Sequence, residues 1–285
     1  MASDVAIEVE DLRKDYGSQH AVRGISFCVR RGEVFGLLGP NGAGKTTTVE
    51  ILEGYRERTA GHVAVLGMDP GPRPLALRER IGIVLQHSEL WQNLTVRETL
   101  GMFAGYYERP RAVEDVIELV GLEDKRDERV KTLSGGQKRR IDLGLALVGD
   151  PELVFLDEPT TGFDPEARRA AWDMIRTLRQ LGKTILLTTH YLDEAANLSD
   201  RVAVLVGGEI VRLGTPGDLV GAARGAEVRW RDADGEHVVQ TDEPTKLVHD
   251  VTGRALAVGR EVEGLEVRRA SLEDVYLDLV REPRS

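Results

Sequence analysis

The chain has 285 residues, 41% hydrophobic and 30% charged, with a formal net charge of −10. This is the make-up of a folded globular protein, not of a disordered or fibrous one, and the length suits one large domain with an appendage or two modest ones. The acidic balance argues against broad nucleic-acid binding, which needs a basic surface.

In chain order, the first residues, MASDVAIEVE, are acidic and have no apolar segment of the kind a secretory leader carries. No later run approaches the roughly 20 apolar residues that cross a bilayer. The chain therefore reads as cytosolic, with any membrane role arriving through a partner. The segment ISFCVRRG alternates like a strand and holds the lone cysteine, Cys28, which reads as a buried small hydrophobe. Short, nearly continuous apolar runs follow at 34–39 (VFGLLG), 81–86 (IGIVLQ), 153–158 (LVFLDE) and 184–190 (TILLTTH). Such runs suit strands of a parallel sheet buried on both faces. Helices are predicted behind the first, in GKTTTVEILEGY, and behind the third, in PEARRAAWDMIRTLRQLG, where Pro165 stands near the start and Gly182 at the end. The stretch from about 88 to 150 differs, because TVRETLGMFAGYY and AVEDVIELVGL both read as helices, the second with Val113, Val116, Ile117 and Val120 on one face. It reads as a mostly helical insert. The segment 201–214 reads as a hairpin turning at Gly207 and Gly208. After about residue 222 the pattern changes to a hairpin over EVRWR and HVVQT, a helix over PTKLVHDVTGRALAVG, a strand at LEVRRA, and a last helix opened by the capping pattern Ser271…Asp274. Domains are thus expected at 1–222 and 223–285, the second a small α/β appendage.

The chemistry begins at GPNGAGKTT, which places Gly39, Pro40, Asn41, Gly42, Ala43, Gly44, Lys45, Thr46 and Thr47 between a strand and a helix. This is the P-loop spacing G-x-x-x-x-G-K-[ST]. Glycines let backbone N–H groups wrap phosphates, Lys45 reaches the β- and γ-phosphates, and the Thr46 hydroxyl ligates Mg²⁺. The buried strand LVFLDEP then ends in two acids. Asp157 would help hold Mg²⁺, and Glu158 stands where it can orient or deprotonate an attacking water. A P-loop and a carboxylate pair make an ATPase. A second phosphate-binding pattern is the puzzle: TLSGGQKRR, with Ser134, Gly135, Gly136 and Gln137 at the start of a predicted helix. The other histidines, His20, His62, His87, His237 and His249, have no metal-ligand spacing.

Together with LSGGQ, these motifs resemble the ATP-binding subunit of an ABC transporter over residues from about 5 to 220. The resemblance implies an α/β P-loop NTPase with a RecA-like parallel sheet core, an inserted helical subdomain, an antiparallel β subdomain and the C-terminal appendage. It also implies a head-to-tail pair of such subunits, in which each ATP lies between the P-loop of one and the LSGGQ segment of the other. By the same resemblance Tyr16 is the aromatic that stacks on adenine. Gln86 touches the metal or the attacking water, Asp164 crosses the dimer interface, and His190 is the switch histidine that contacts the γ-phosphate. Phe163 and Lys138 depart from the commonest wording and remove no group needed for hydrolysis. The implied partners are an integral-membrane permease and a second ATP-binding subunit, as a homodimer, with no nucleic acid. The implied location is the cytoplasmic face of the membrane, as a peripheral subunit. The wording around the P-loop, TTGFDPEARRAAWDMIRTL and SLEDVYLDLV is similar to the drug-exporting branch that includes the daunorubicin-resistance ATPases. Exporters of polysaccharide, lipid or ions share nearly the same wording, and a soluble ABC ATPase acting on DNA or the ribosome is the alternative from another class.

Overall fold

A computed structural model describes residues 4–84, 90–221, 226–232, 235–269 and 276. The chain divides into two compact units, Met1–Leu213 and Gly214–Ser285.

The first unit opens with two long strands, β1 (Val5–Tyr16) and β2 (Gln19–Arg30), and a short buried one, β3 (Val34–Leu38). Helix α1 (Lys45–Leu52) and strand β4 (Ala60–Val65) follow. Next come α2 (Leu75–Arg78), β5 (Ile81–Val84), α3 (Val96–Ala104), α4 (Val113–Leu119) and α5 (Gly135–Leu147). The unit ends with β6 (Leu153–Asp157), α6 (Pro165–Gln180), β7 (Thr184–Thr189), α7 (Leu192–Leu198), β8 (Arg201–Val206) and β9 (Glu209–Gly214). Six strands form one sheet in the order β5-β6-β7-β3-β8-β9. From β5 to β8 they run parallel, so helices must return the chain and both faces are covered. That burial is why these strands read as apolar runs: every residue of β3 and β7 is buried.

A second sheet, β2-β1-β4, is antiparallel. Its inner face packs on the first sheet, with the rings of Phe27 and Phe35 stacked 5.2 Å apart. Here one expectation is corrected. Around Cys28 on β2 the buried residues are Ile25, Phe27 and Val29, so Cys28 falls on the opposite face and is only half-buried. The alternation is as read, but the cysteine belongs to the outward set. The helical insert forms its own core with the other face of the parallel sheet, through Leu100, Val116, Ile117, Ile141 and Leu147. At its crossing, a Cβ on Gly144 would lie 3.0 Å from Leu100 and 3.3 Å from Val116, so a larger residue would part three helices.

The second unit contains α8 (Pro216–Gly221), β10 (Ala226–Asp232), β11 (Gly235–Thr241), α9 (Pro244–Ala257) and β12 (Glu263–Arg269). Its antiparallel sheet, β11-β10-β12, packs Val228 and Trp230 against Val251 of α9. The helix expected from Ser271 lies outside the described residues.

Candidate functional site

The parallel strands deliver the candidate residues to their C-terminal ends. After β3 the chain turns through residues 39–44 into α1, and Gly44 is held at φ 102°, a conformation that favours glycine. Lys45 is buried, at 5% exposure. Its Nζ donates to the carbonyl oxygens of Gly39 (2.8 Å) and Pro40 (3.3 Å) and lies 3.6 Å from Glu158 Oε1. Burial pulls this ammonium below the ordinary lysine range, against the opposing pull of Glu158 and Asp157.

β6 ends at Asp157, and the next residue, Glu158, has φ 46°. A non-glycine residue in that region carries strain, which is tolerated where the surroundings hold it. The hold here is Thr188 on the adjacent strand β7. Its hydroxyl accepts from the Glu158 N–H at 3.0 Å and donates to Asp157 Oδ1 at 2.5 Å. Burial pushes the Asp157 carboxyl above its usual range, with Glu158 adding to the effect and Thr188 and Lys45 opposing it. Glu158 behaves differently. Burial works against its charge, but Lys45, Thr161 and His190 outweigh it, and its carboxyl sits below the ordinary range. Thr161 Oγ1 donates to Glu158 Oε2 at 3.1 Å. His190, just past β7, brings Nδ1 to 3.3 Å from Glu158 Oε1 without the alignment of a hydrogen bond.

Four expected residues therefore meet at one place: Lys45, Asp157, Glu158 and His190. Thr188 and Thr161 complete the group and were not singled out from sequence. The available signal for Thr188 was the polar threonine pair closing the otherwise apolar run TILLTTH. Tyr16, at the end of β1, is 41% exposed, and its ring lies 5.1 Å from Lys14 Nζ and 5.4 Å from the Arg56 guanidinium. Gln86 lies outside the described residues.

The second pattern is built separately. Ser134 caps α5 in a reciprocal box: its hydroxyl accepts from Gln137 N–H at 3.3 Å, and Gln137 Oε1 accepts from Ser134 N–H at 2.9 Å. This fixes the serine and glutamine side chains around the first turn and leaves Ser134 and Gly135 exposed. A cleft of about 810 Å³ lies between this turn and the loop from Thr161 to Asp164. No residue of 39–47 lines it, so the two glycine-rich turns open onto different spaces. Asp164 Oδ1 caps α6 by accepting from the N–H groups of Glu166 and Ala167.

A further groove, about 670 Å³, is lined by Tyr55, Leu75, Leu90, Trp91, Phe103 and Tyr106 among others. Leu90 is buried, whereas Trp91 is 52% exposed, with its ring edge-on to Phe103 at 5.9 Å.

A family model described as ABC transporter matches residues 22–161. The chain is 41% identical to the Nod factor export ATP-binding protein I of Rhizobium sp. (strain N33), over 97% of each chain. It is 43% identical to the protein of the same name from Neorhizobium galegae, over 98% of this chain and 86% of that one. Among solved structures, an ATP-binding subunit of an ABC transporter superimposes with a TM-score of 0.67 at 29% identity, over 76% of this chain and 92% of the other. The dimeric structure of a bacterial ABC transporter cassette superimposes with a TM-score of 0.65 at 23% identity, over 73% and 98%, and shares the fold.

Proposed function

The chain belongs to the ABC transporter ATP-binding family, an ATPase family, and from that premise we propose that it is the ATP-hydrolysing subunit of an exporter whose permease is a separate chain. The observation that supports the catalytic reading is the Glu158 carboxylate, which meets Lys45, Thr161 and His190 at a strained strand end. Held below the ordinary carboxylate range, it is ionised at neutral pH and available to take a proton from an attacking water. His190 stands beside it to contact the γ-phosphate. Lys45 exchanges the carbonyls of Gly39 and Pro40 for the β- and γ-phosphates, and Tyr16 offers its exposed ring to the adenine.

Thr46, Asp157 and Gln86 are the residues that would hold Mg²⁺. The donor set fits: Asp157 is a half-buried carboxyl that burial pushes above its usual range, so a cation beside it would favour its charged form. Among the described residues no group of three His, Cys, Asp or Glu could hold a metal by itself. A cation here would share its ligands with the nucleotide phosphates, as Mg²⁺ does. When bound, it neutralises charge developing on those phosphates.

The exposed turn Ser134–Gly135–Gly136–Gln137 is read as the contact for a nucleotide carried by a second copy of the chain, with Asp164 at the same interface. ATP bridging two copies stabilises the closed pair selectively, which is how a ligand shifts such an equilibrium. The aromatic groove around Trp91 is read as the seat of a short helix of the permease, an arrangement that would keep this subunit at the cytoplasmic face of the membrane. Among the described residues no helix is long and apolar enough to cross a membrane. Export is supported by the names of the Nod factor relatives. Those names share the direction, not the cargo, with the drug-exporting branch.

The purified chain should hydrolyse ATP, and faster in proteoliposomes that contain its membrane permease. Hydrolysis indifferent to that permease and stimulated by DNA or ribosomes would reject the exporter reading.

A further inference from the structure

Glu194 is fully buried and takes no part in the chemistry above. It lies on α7, which begins two residues after His190. Its Oε1 accepts from Thr160 Oγ1 at 2.9 Å and from Trp172 Nε1 at 3.2 Å. Thr160 is also fully buried and belongs to the loop that starts with Glu158 and ends with the α6 cap Asp164. Within that loop Thr161 N–H donates to the Glu158 carbonyl and Phe163 N–H to the Thr160 carbonyl. One carboxylate oxygen thus joins three segments: the loop that carries the base, the helix that follows the loop, and the helix that follows the switch histidine.

The surroundings do not favour this group for stability alone. Burial pushes the Glu194 carboxyl upward, while Thr189, Thr160, Trp172 and Arg168 pull the other way. Glu194 Oε2 and Arg168 Nε are both buried without a hydrogen-bond partner. Arg168 in turn lies over the ring of Tyr191, 4.6 Å from its centroid, and the Tyr191 ring lies tilted against that of His190 at 4.2 Å. An apolar residue here would remove the unpaired Oε2 but would leave the Thr160 hydroxyl and the Trp172 N–H without their acceptor. A carboxylate here is best explained by what it connects.

We propose that Glu194 is a positioning residue for hydrolysis, its Oε1 tying the 158–164 loop to the helix behind His190 so that base and switch histidine keep one arrangement. A displacement of α7 would then move Thr160, and with it the loop carrying Glu158 and Asp164. The inference rests on the reading of Glu158 as the base.

The test compares Thr160→Val, Glu194→Met and Glu194→Gln in the full chain, with Glu158→Gln as control. Thr160→Val keeps the shape of the residue and removes only the donor, leaving Glu194 and Glu158 in place. We expect kcat to fall about 10-fold or more in Thr160→Val and Glu194→Met, as a misplaced catalytic group implies, with ATP affinity within about 2-fold. Glu194→Gln, which keeps an acceptor at Oε1, should recover most of the rate. Wild-type kcat in Thr160→Val overturns the proposal even if Glu194→Met fails to fold. Equal losses in Glu194→Gln and Glu194→Met also overturn it, by assigning the effect to charge and not to the hydrogen bonds. A wild-type rate in Glu158→Gln rejects the base itself, a result separable from the others because Thr160→Val does not touch it.

Discussion

The two glycine-rich turns, before α1 and at the start of α5, are built on opposite terms. In the first, the rest of the chain demands two of the three glycines. A Cβ on Gly39 would fall 2.2 Å from the Leu205 carbonyl oxygen, and one on Gly44 would fall 2.5 Å from that of Ala21. In the second, a Cβ on Gly135 would meet nothing within 4 Å, and one on Gly136 would meet only Ala167 at 3.9 Å. Glycine also weakens a helix by about 0.8–1.0 kcal/mol relative to alanine. The fold therefore explains the first pair and is indifferent to the second. Bare backbone that a chain does not need for itself is surface open to close approach from outside, and a nucleotide held by another copy is the approach proposed here.

The largest expected effect tests whether both turns serve one catalytic cycle. Glu158→Gln should retain ATP binding and slow hydrolysis about 10²–10⁴-fold, the usual contribution of a positioned general base. Because closure survives while reopening fails, an ATP-dependent dimer should accumulate, visible by size-exclusion chromatography. Wild-type turnover in the purified variant would remove Glu158 from the chemistry.

The next effect should split cleanly between the turns. Gly39→Ala forces a backbone clash, so it should lower monomer stability and ATP binding together. Gly136→Asp meets open space, and an acid in the first turn of a helix is favourable by about 0.3–1 kcal/mol. Its monomer should be as stable as the parent and bind ATP. Facing the γ-phosphate of a partner's nucleotide, the same carboxylate should cost several kcal/mol at an effective dielectric of about 20, and dimerisation should be lost. Calorimetry and sedimentation on the two variants decide this. If Gly136→Asp loses monomeric binding as severely as dimerisation, the turns do not act on different nucleotides.

What could be read from sequence follows the same division. The parallel strands, the P-loop and the capped turn at Ser134 are local, and their residues carry their own reasons. Apolar runs mark strands covered on both faces, and a serine three residues before a glutamine marks a helix start. Contacts between distant segments were not legible. Thr188 reaches Asp157 across 31 positions, and Thr160 reaches Glu194 across 34. Each threonine is ordinary in its own neighbourhood and acquires a role only when β6, β7 and α7 are side by side. Cys28 makes the same point in reverse. Its strand is evident from alternation, but which face is inward depends on a partner sheet assembled from elsewhere. The loop from Thr161 to Asp164 carries both kinds of information: Asp164 is a readable helix cap, whereas its tie to Glu158 through Thr161 is visible only in three dimensions.

A smaller effect concerns the groove beyond both turns. Trp91 is half-exposed and touches Phe103, while Leu90 beside it is buried. An aromatic seated in a partner's interface commonly costs about 2 kcal/mol or more when truncated. Trp91→Ala should thus weaken permease binding about 30-fold and abolish transport, with hydrolysis by the isolated subunit near normal. Measured in one preparation, loss of basal hydrolysis would make Trp91 part of the core, and intact transport would remove it from the coupling path.

The smallest effect probes the strand that delivers the two acids beside the first turn. Glu152 stands just before β6, the strand that delivers Asp157 and Glu158, and it takes a two-bond grip from Arg80 (2.5 and 3.0 Å) plus one bond from Arg31 (2.7 Å). The Arg80 bonds, with Arg31 helping and burial opposing, hold its carboxyl down at about 2. A carboxyl lowered in the folded state binds fewer protons there than in the unfolded chain. Its contribution is therefore complete above the unfolded value near 4.5 and is lost as pH falls through about 2. The side chain is 42% exposed, so solvent screening limits the contribution to about 1 kcal/mol. Glu152→Gln should lower stability by about that amount at pH 7, and the difference from the parent should shrink through the acid range until it vanishes near pH 2. ATP-dependent dimerisation, which depends on the outward turn at Ser134, should be unchanged at pH 7. Denaturant titrations at several pH values measure the first, and a difference that persists undiminished into acid would mean that packing, not the ion pairs, holds Glu152 in place.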